Sequence, residues 1–479
     1  MADQIPSELV LEILPFLPWD SLINTASTSR RFRALSRSFL FAHLDVRPYV
    51  IDYMQNCLAA PPAKKARAIQ EKIAFFASPF IAPLVRSLNI SAEEDSSKRG
   101  IITHIIEFSA LDGTHVVLDY LLERLSSFVS LKKFIAAQVG FTLPAMHHLS
   151  QIANGLSLRL FSCYLRSGSR AYSPLFESMK LKKLEIDNAP STEAAIWFHM
   201  MQAEHLEKLV FDFKDLKHVH FLLPNLRVLS LDLNPHCLAV DVPRLAQFST
   251  IEVFSFYFKS NLDIFAILGG VGPMNPTPAL LASPTPFPNL VDLTGPTELL
   301  PIFSRASTLR HLDTGRDPKS AREFSAIFRR AKLATNLTRL TLELILAKTP
   351  VADLHALLNT QFPVLEQLVL LPAVSYVEVQ SPATVRKTII PFYSFISNAL
   401  PRSLLLLEIT AEVFHPKADG KRPAADAHAI VPQILRDSVL KKCPKLKRMN
   451  VEGPGFALIW ETDVYAGVLE TNKIERGTT

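Results

Sequence analysis

The sequence predicts an α/β chain: a short N-terminal unit of three helices, followed by an irregular array of parallel strands alternating with helices. Three observations carry that expectation. The first ~45 residues space their apolar side chains three and four apart, the helical period, with prolines and hydroxyl residues at the breaks. Past residue 80 a second pattern recurs, apolar-x-x-apolar-x-apolar, which puts alternate residues on one side of a strand. Finally, 479 residues that are 48% hydrophobic and 20% charged hold enough apolar material for an extended core and too much for a disordered protein.

The opening segment runs Ile5-Pro6-Ser7-Glu8-Leu9-Val10-Leu11-Glu12-Ile13-Leu14-Pro15-Phe16-Leu17-Pro18-Trp19-Asp20-Ser21-Leu22. Pro6 suits a helix start, where a missing N–H costs nothing, and Glu8 suits the positive helix end. Leu9, Ile13 and Leu17 recur at four-residue spacing and predict one apolar stripe, interrupted at Pro15. Pro18 closes the turn and Asp20 is expected to cap a second helix carrying Leu22, Ile23 and Ala26. Ser27-Thr28-Ser29 then offers a hydroxyl cap to a third helix, with Phe32 and Leu35 three apart. Three helices in about forty residues bury too little to stand alone, so this unit needs a partner or a neighbouring domain.

That segment resembles the F-box. The family's opening Leu-Pro-x-Glu-Leu stands here as Ile5-Pro6-Ser7-Glu8-Leu9, and its Ile-Leu-x-x-Leu as Ile13-Leu14-Pro15-Phe16-Leu17. Its Asp-Leu falls on Asp20 and Leu22, and its Val-Cys-Lys-Arg-Phe on Thr28-Ser29-Arg30-Arg31-Phe32. The closing Leu-Trp corresponds to Leu40-Phe41. The resemblance implies that Pro6, Leu9, Ile13, Leu17, Leu22, Phe32 and Phe41 form or support a surface for a Skp-family adaptor, and through it for cullin and RING subunits.

The repeat pattern begins clearly at Val85-x-x-Leu88-x-Ile90. It returns at Leu131 (with Phe134), Leu181, Leu206, Leu226, Ile251, Leu309, Leu337, Leu365, Leu404 and Leu446, with weaker copies at Leu158-Leu160 and Leu290-Leu293. The starts at 131, 181, 206, 226 and 251, with the weak copy at 158 included, keep a spacing close to 20–25 residues that matches leucine-rich repeats, in which each strand buries its apolar side only by stacking on the next; the spacing breaks between 256 and 290, 370 and 404, and 409 and 446. One copy, Leu226 to Asn234, carries the full pattern with its terminal Asn; most others lack that Asn, so an irregular solenoid is expected. Intervening runs such as Val116 to Leu122 read as helices for its convex side. The expected boundaries are 1–48 for the three-helix unit, 49–83 for a helical linker or first irregular repeat, and 84–470 for the solenoid. Loop insertions are expected near 269–288, 372–391 and 414–427, with a frayed tail at 471–479.

Catalytic chemistry finds no foothold. Gly269-Gly270-Val271-Gly272 lacks the Gly-Lys-Ser/Thr of a phosphate loop. His147-His148 and His218-Val219-His220 have no further ligands at metal-site spacing, and on a strand His218 and His220 would share an exposed face. The four cysteines, Cys57, Cys163, Cys237 and Cys443, form no C-x-x-C pair and read as ordinary reduced thiols. The sequence therefore predicts no enzyme, no metal and no cofactor. A net charge of +6 is small for this length, and its two basic runs (64–67 and 441–448) lack interleaved aromatics, so neither nucleic acid nor membrane is expected as a partner. No apolar run nears the ~20 residues that span a bilayer, and the expected compartment is cytoplasm and/or nucleus.

One surface pattern stands out. Positions alternating with the repeat leucines point away from the core. They give Lys133, Lys183 and Lys208 at one position, Glu185 at the next, and Asp187, Asp212 and Asp232 at the outermost, with Tyr257 at the equivalent site of the following repeat. These are the candidate face for a protein substrate. The resemblance to F-box/leucine-rich-repeat proteins implies a non-catalytic substrate receptor of a Skp–cullin–F-box ubiquitin ligase; the alternative is a free-standing repeat scaffold or inhibitor.

Overall fold

Prolines set the N-terminal helices in the computed structural model of the chain. The structure describes residues 5–52, 57–93, 109–110, 115–152, 154–166, 179–187, 191–219, 222–232, 244–257, 286–297, 300–303, 306–314, 318–331, 333, 336–374, 381–410, 432–453 and 456–462. Two units divide the chain, Met1–Leu226 and Arg227–Thr479.

In the first unit, α1 (Ser7–Ile13) follows Pro6 and gives way at Pro15 to a tighter 3₁₀ turn, Leu14–Phe16. Helix α2 (Trp19–Thr28) follows Pro18. Asp20, expected as its cap, instead lies in its first turn, where a carboxylate suits the helix dipole. Ser29 does cap α3 (Arg30–Leu40): its Oγ accepts the Phe32 N–H at 3.1 Å. Val10, Leu14 and Leu22 are the buried centre of this three-helix unit, with Leu17, Phe32, Leu35, Phe39 and Leu40 packed against them. The Arg31 guanidinium ties the chain start by donating to the Ile5 carbonyl and the Ser7 hydroxyl.

Eleven strands follow among the described residues of this unit: β1 (His43–Val46), β2 (Val50–Asp52), β3 (Cys57–Ala59), β4 (Ser87–Ile90), β5 (Ser109–Ala110), β6 (Lys133–Ala137), β7 (Gly140–Phe141), β8 (Asn154–Phe161), β9 (Tyr164–Leu165), β10 (Lys180–Asp187) and β11 (Lys208–Asp212). Strands β1, β4, β6, β8, β10 and β11 lie side by side, all parallel. Their register stacks Leu44, Leu88, Phe134, Leu158, Leu184 and Leu209 in one fully buried column. That is the repeat pattern made physical: a slip of one residue would turn every one of these side chains outward. Helices α4 (Ala63–Phe76), α5 (Val116–Leu122), α6 (Leu143–Ile152) and α7 (Ser191–His199) connect the strands.

The strands also share a start. The carbonyl of Ala42 accepts both the Arg86 N–H (2.8 Å) and the Ser87 N–H (2.9 Å), and that of Arg86 accepts both Lys132 (2.8 Å) and Lys133 (3.0 Å). Two residues oppose one, as in a β-bulge, so two consecutive side chains leave the core at each of these starts.

Two expectations need correction here. The span 49–83 is more than a helical linker, because β2 and β3 form an antiparallel pair beside α4; Val50 and Ile51 are β-branched, and Leu58 between the strand ends is fully buried. His218 ends a 3₁₀ turn, Phe213–His218, rather than standing on a strand, and His220 lies outside the described residues.

In the second unit β12 (Val228–Asp232), β13 (Val253–Tyr257), β14 (Asp292–Thr294), β15 (His311–Asp313), β16 (Arg339–Ile345), β17 (Gln367–Ala373), β18 (Leu406–Ile409) and β19 (Arg448–Gly453) run parallel in sequence order. Among the described residues of this unit, only β20 (Phe456–Glu461) turns back antiparallel. Leu229, Phe254, Leu293, Leu312, Leu340, Leu368, Leu407 and Met449 form its buried column. Connecting helices are α8 (Leu300–Phe303), α9 (Ala321–Ala331), α10 (Val351–His355), α11 (Ile390–Ala399) and α12 (Pro432–Lys442). Of the expected insertion at 372–391, residues 375–380 lie outside the described residues and 382–391 are helical instead: Pro382–Thr384 and a π turn, Val385–Ile389, lead directly into α11. The π turn lets Pro391 sit in the first turn of α11, the one place where its missing N–H does no harm. The expected insertions at 269–288 and 414–427 fall, apart from 286–288, outside the described residues, as does the 471–479 tail.

Helix α9 carries a reciprocal cap. Glu323 accepts from the Ser320 N–H (2.8 Å) and hydroxyl (2.7 Å), while the Glu323 N–H donates to Ser320 Oγ at 3.2 Å. The Ser320 hydroxyl first, then its N–H, holds the Glu323 carboxyl below its ordinary pKa. This contribution is present above the ordinary carboxylate range and is lost as acid protonates Glu323. Ser320→Ala should cost the second unit about 1 kcal/mol in denaturant unfolding at neutral pH, and less once Glu323 is protonated; an equal loss at both pH values would contradict the reciprocal cap.

Candidate partner-binding surfaces

The three-helix unit hides one apolar stripe and shows another. Val10 and Leu14 face inward, whereas Leu9 (49% exposed), Ile13 (56%), Phe16 (85%), Trp19 (51%) and Ile23 (46%) face outward. Residues 9, 13 and 16 follow helical spacing on one side of α1 and its 3₁₀ extension, and 19 and 23 do so on α2. Leu11 (39% exposed) adds a sixth, and six large exposed apolar residues within fifteen positions are more than the scattered surface leucines of an ordinary domain. Of the residues expected there, Pro6, Leu9 and Ile13 are exposed, Leu17 and Phe32 are half-buried against the core, and Leu22 belongs to the core itself. Phe41 is half-buried and meets Phe75 and Phe76 of α4 edge-on, with ring centroids 5.7 and 5.9 Å apart. Phe41 thus joins the three helices to α4, aided by the Arg37 guanidinium on the Phe80 carbonyl at 3.3 Å. Phe16, Trp19 and Ile23 were not expected on this surface, although apolar residues flanking Pro15 and Pro18 were the available signal.

The outward side of the first unit's parallel strands forms rows. His43, Ser87, Lys133, Ser157, Lys183 and Lys208 occupy one row in register. Two residues along each strand, the next row holds Asp45, Asn89, Ile135, Arg159, Glu185 and Val210. There Arg159 and Glu185 pair directly across strands at 2.7 Å, and Arg159 also lies 5.1 Å from the Phe161 ring centre. Both side chains are partly exposed, so the pair adds little stability and mainly fixes the local charge pattern. Asp187 and Asp212 stand two residues beyond Glu185 and Val210; Asp187 is half-buried and Asp212 buried. The structure therefore brings Lys133, Lys183 and Lys208 into one row and sets Glu185, Asp187 and Asp212 farther along the same side. Asp232 and Tyr257 are register partners on β12 and β13 of the second unit. On that unit Val369 and Leu371 are both half-exposed on the outward side of β17.

Other reactive groups serve the fold. Cys57, Cys163 and Cys443 are buried, and burial pushes the Cys443 thiol up to about 11. His148 lies on α6 with Nδ1 3.3 Å from the Leu122 carbonyl, to which it donates. Tyr49 shares a 2.7 Å hydrogen bond with His115, and Tyr393 donates to the Glu452 carbonyl at 2.6 Å. Burial above all raises both phenols well beyond their ordinary pKa of about 10. Above that pH the unfolded chain releases protons that the folded chain keeps, so stability must fall as pH rises. The thermal midpoint is expected to drop between about pH 9.5 and 11, and Tyr393→Phe should flatten that drop while costing about 1 kcal/mol at neutral pH. A midpoint that the variant leaves equally pH-sensitive would remove Tyr393 from this account.

No family model matches the sequence, and no curated protein matches it. Among solved structures, the crystal structure of PEPR1-AtPEP1 is similar at 12% identity over 70% of this chain, with a TM-score of 0.21. The chain spans 39% of that protein's length, and a likeness this slight supports no functional argument. Among the described residues, no helix is long and apolar enough to cross a membrane.

Proposed function

We propose that the chain is the substrate receptor of a Skp–cullin–F-box ubiquitin ligase, with the three helices before His43 as the F-box and the strand arrays, which begin with β1 rather than at the expected residue 84, as an irregular leucine-rich-repeat domain. The observation that carries this reading is the exposed surface of Leu9, Ile13, Phe16, Trp19 and Ile23 laid over a separate buried core. Helices evolved only to cap an array would present polar residues outward; these present anchors of the kind that dominate interfaces. The receptor itself is non-catalytic: it supplies effective concentration and orientation, while other subunits transfer ubiquitin.

The test is co-elution of the full-length chain with a purified Skp-family adaptor. Because Leu9 and Ile13 are exposed, the double variant L9A/I13A should keep the wild-type thermal midpoint while weakening adaptor binding by about tenfold or more. Failure of the wild-type chain to retain any adaptor would end the ligase reading.

The contacts of Phe41 and Arg37 with the segment after them favour a second reading, in which the helices are an N-terminal cap of a repeat scaffold without ligase association. A truncation separating the two must stop before His43, since β1 pairs with β4 and its loss would uncover a sheet edge. Removing residues up to 40 should leave a folded remnant blind to the adaptor on the receptor reading, and an unfolded array on the cap reading.

A further inference from the structure

The strand starts of the first unit gather six cations and a single carboxylate, Glu207. Arg86, Lys132 and Lys182 occupy the residue before the first outward row, and Lys133, Lys183 and Lys208 lie in that row. All are exposed except Lys208, which is half-exposed. Only Lys182 has an acidic partner, Glu207 at 3.2 Å; among the described residues the other five cations meet no carboxylate. The corresponding starts in the second unit are mixed in sign: Arg227 pairs with Glu252 at 3.8 Å, His311 with Asp292 at 3.4 Å, and Glu366 follows Arg339 one strand later. The predominantly cationic edge, six cations to one carboxylate, is thus a property of the first unit and not of the repeat.

We infer that this edge binds an extended, carboxylate-rich peptide lying across β4, β6, β8, β10 and β11. Neighbouring strands are about 4.8 Å apart, so four steps span about 19 Å, the length of about six extended residues. Lys133 and Lys183, two strands apart, then lie about 9.6 Å from each other, a span that their flexible stems can adjust to acidic side chains two residues (about 6.6 Å) apart on one face of an extended chain. The rest of the same side limits the ligand's width. Glu185 stands one row on, and Asp187 and Asp212 a row beyond that, so a wide polyanion such as a nucleic-acid duplex would meet repulsion where a single peptide strand does not. Across β4 to β11 the two rows hold no aromatic ring on which a base could stack; beside the six cations they hold Ser87, Ser157, Leu156 and Glu207. This deepens the receptor reading by giving its substrate class, and rests on that reading for its biological meaning; the binding itself does not require the adaptor.

Fluorescence anisotropy on the full-length chain tests it, with a labelled peptide alternating Glu and Ser, its Lys/Ser counterpart, and a single-stranded oligothymidylate of equal charge. The Glu peptide is expected to bind at about 50 mM NaCl and to weaken markedly by about 200 mM, while the Lys peptide does not bind. K132E/K133E and K183E/K208E should each weaken it about tenfold, whereas K441E/K442E, an equal charge change on the exposed end of α12, should leave it nearly unchanged. No binding, equal loss in all three variants, or tighter binding of the oligonucleotide through the same lysines would overturn the inference. Circular dichroism of the variants separates loss of the site from loss of fold, and retained adaptor co-elution separates failure here from failure of the ligase reading.

Discussion

Phe254→Ala should be the most damaging single substitution in the second unit, lowering its stability by about 3–5 kcal/mol. Phe254 is fully buried in the column between Leu229 and Leu293, and its ring centre lies 4.2, 4.7 and 4.8 Å from those of Phe256, Phe287 and Phe303. Truncation removes its transfer free energy, leaves a cavity that four chain segments would have to collapse together to fill, and deletes three aromatic contacts worth about 0.5–1.5 kcal/mol each. Domains are stable by only about 5–15 kcal/mol, so one such loss can populate the unfolded state of this unit at physiological temperature. Phe254→Leu keeps most of the volume and should cost clearly less. Denaturant unfolding of the two variants checks the ordering; a loss below about 1 kcal/mol for Phe254→Ala would mean that the column does not hold the unit together.

Leu14→Ala should be comparably severe for the N-terminal helices, about 2–5 kcal/mol, and it contrasts with its neighbours. Leu14 is 1% exposed at the centre of the small core formed with Val10 and Leu22. A core centred on three buried side chains has little reserve, so this substitution is expected to melt the helices locally and abolish adaptor binding through loss of fold. Leu9→Ala, one turn away and half-exposed, should change stability by no more than about 0.5 kcal/mol. Hydrogen exchange of amides in α1 to α3 distinguishes the two: fast exchange is expected in L14A and native protection in L9A. If both variants were equally protected, the assignment of inward and outward stripes would be wrong.

The two stripes also show where sequence reasoning stops. Leu9, Ile13 and Leu17 have helical spacing, and so do Val10, Leu14 and Leu17; periodicity finds a helix but cannot say which of two apolar faces turns inward. Tertiary packing against Phe32, Leu35 and Phe39 decides it. The strands were far more legible, because period two leaves one choice of inward residue: Val85-x-x-Leu88-x-Ile90 and its copies fall on buried positions throughout. The row of Lys133, Lys183 and Lys208 followed from the same alternation. Its enlargement by Arg86, Lys132 and Lys182 did not, since a bulge depends on how neighbouring strands meet and leaves no mark in the pattern of one. The helix after residue 381 was hidden by Pro391, which normally ends a helix and here is accommodated by a preceding π turn.

The shared carbonyl at each strand start has an evolutionary side. Pro83, Pro288, Pro363 and Pro444 each precede by three residues an amide that donates to such a carbonyl: those of Arg86, Val291, Glu366 and Lys447. Proline is admitted to the turn and excluded from the two donor positions at the strand start, where an N–H is indispensable. Nothing else about those two positions is dictated by the backbone, and their side chains reach solvent. Arginine, valine, glutamate and lysine have all been accepted there. The architecture thus separates residues that must be kept from those that can drift, and places the freedom to drift at the strand starts within each unit, where a lineage can change its partners without relearning how to fold.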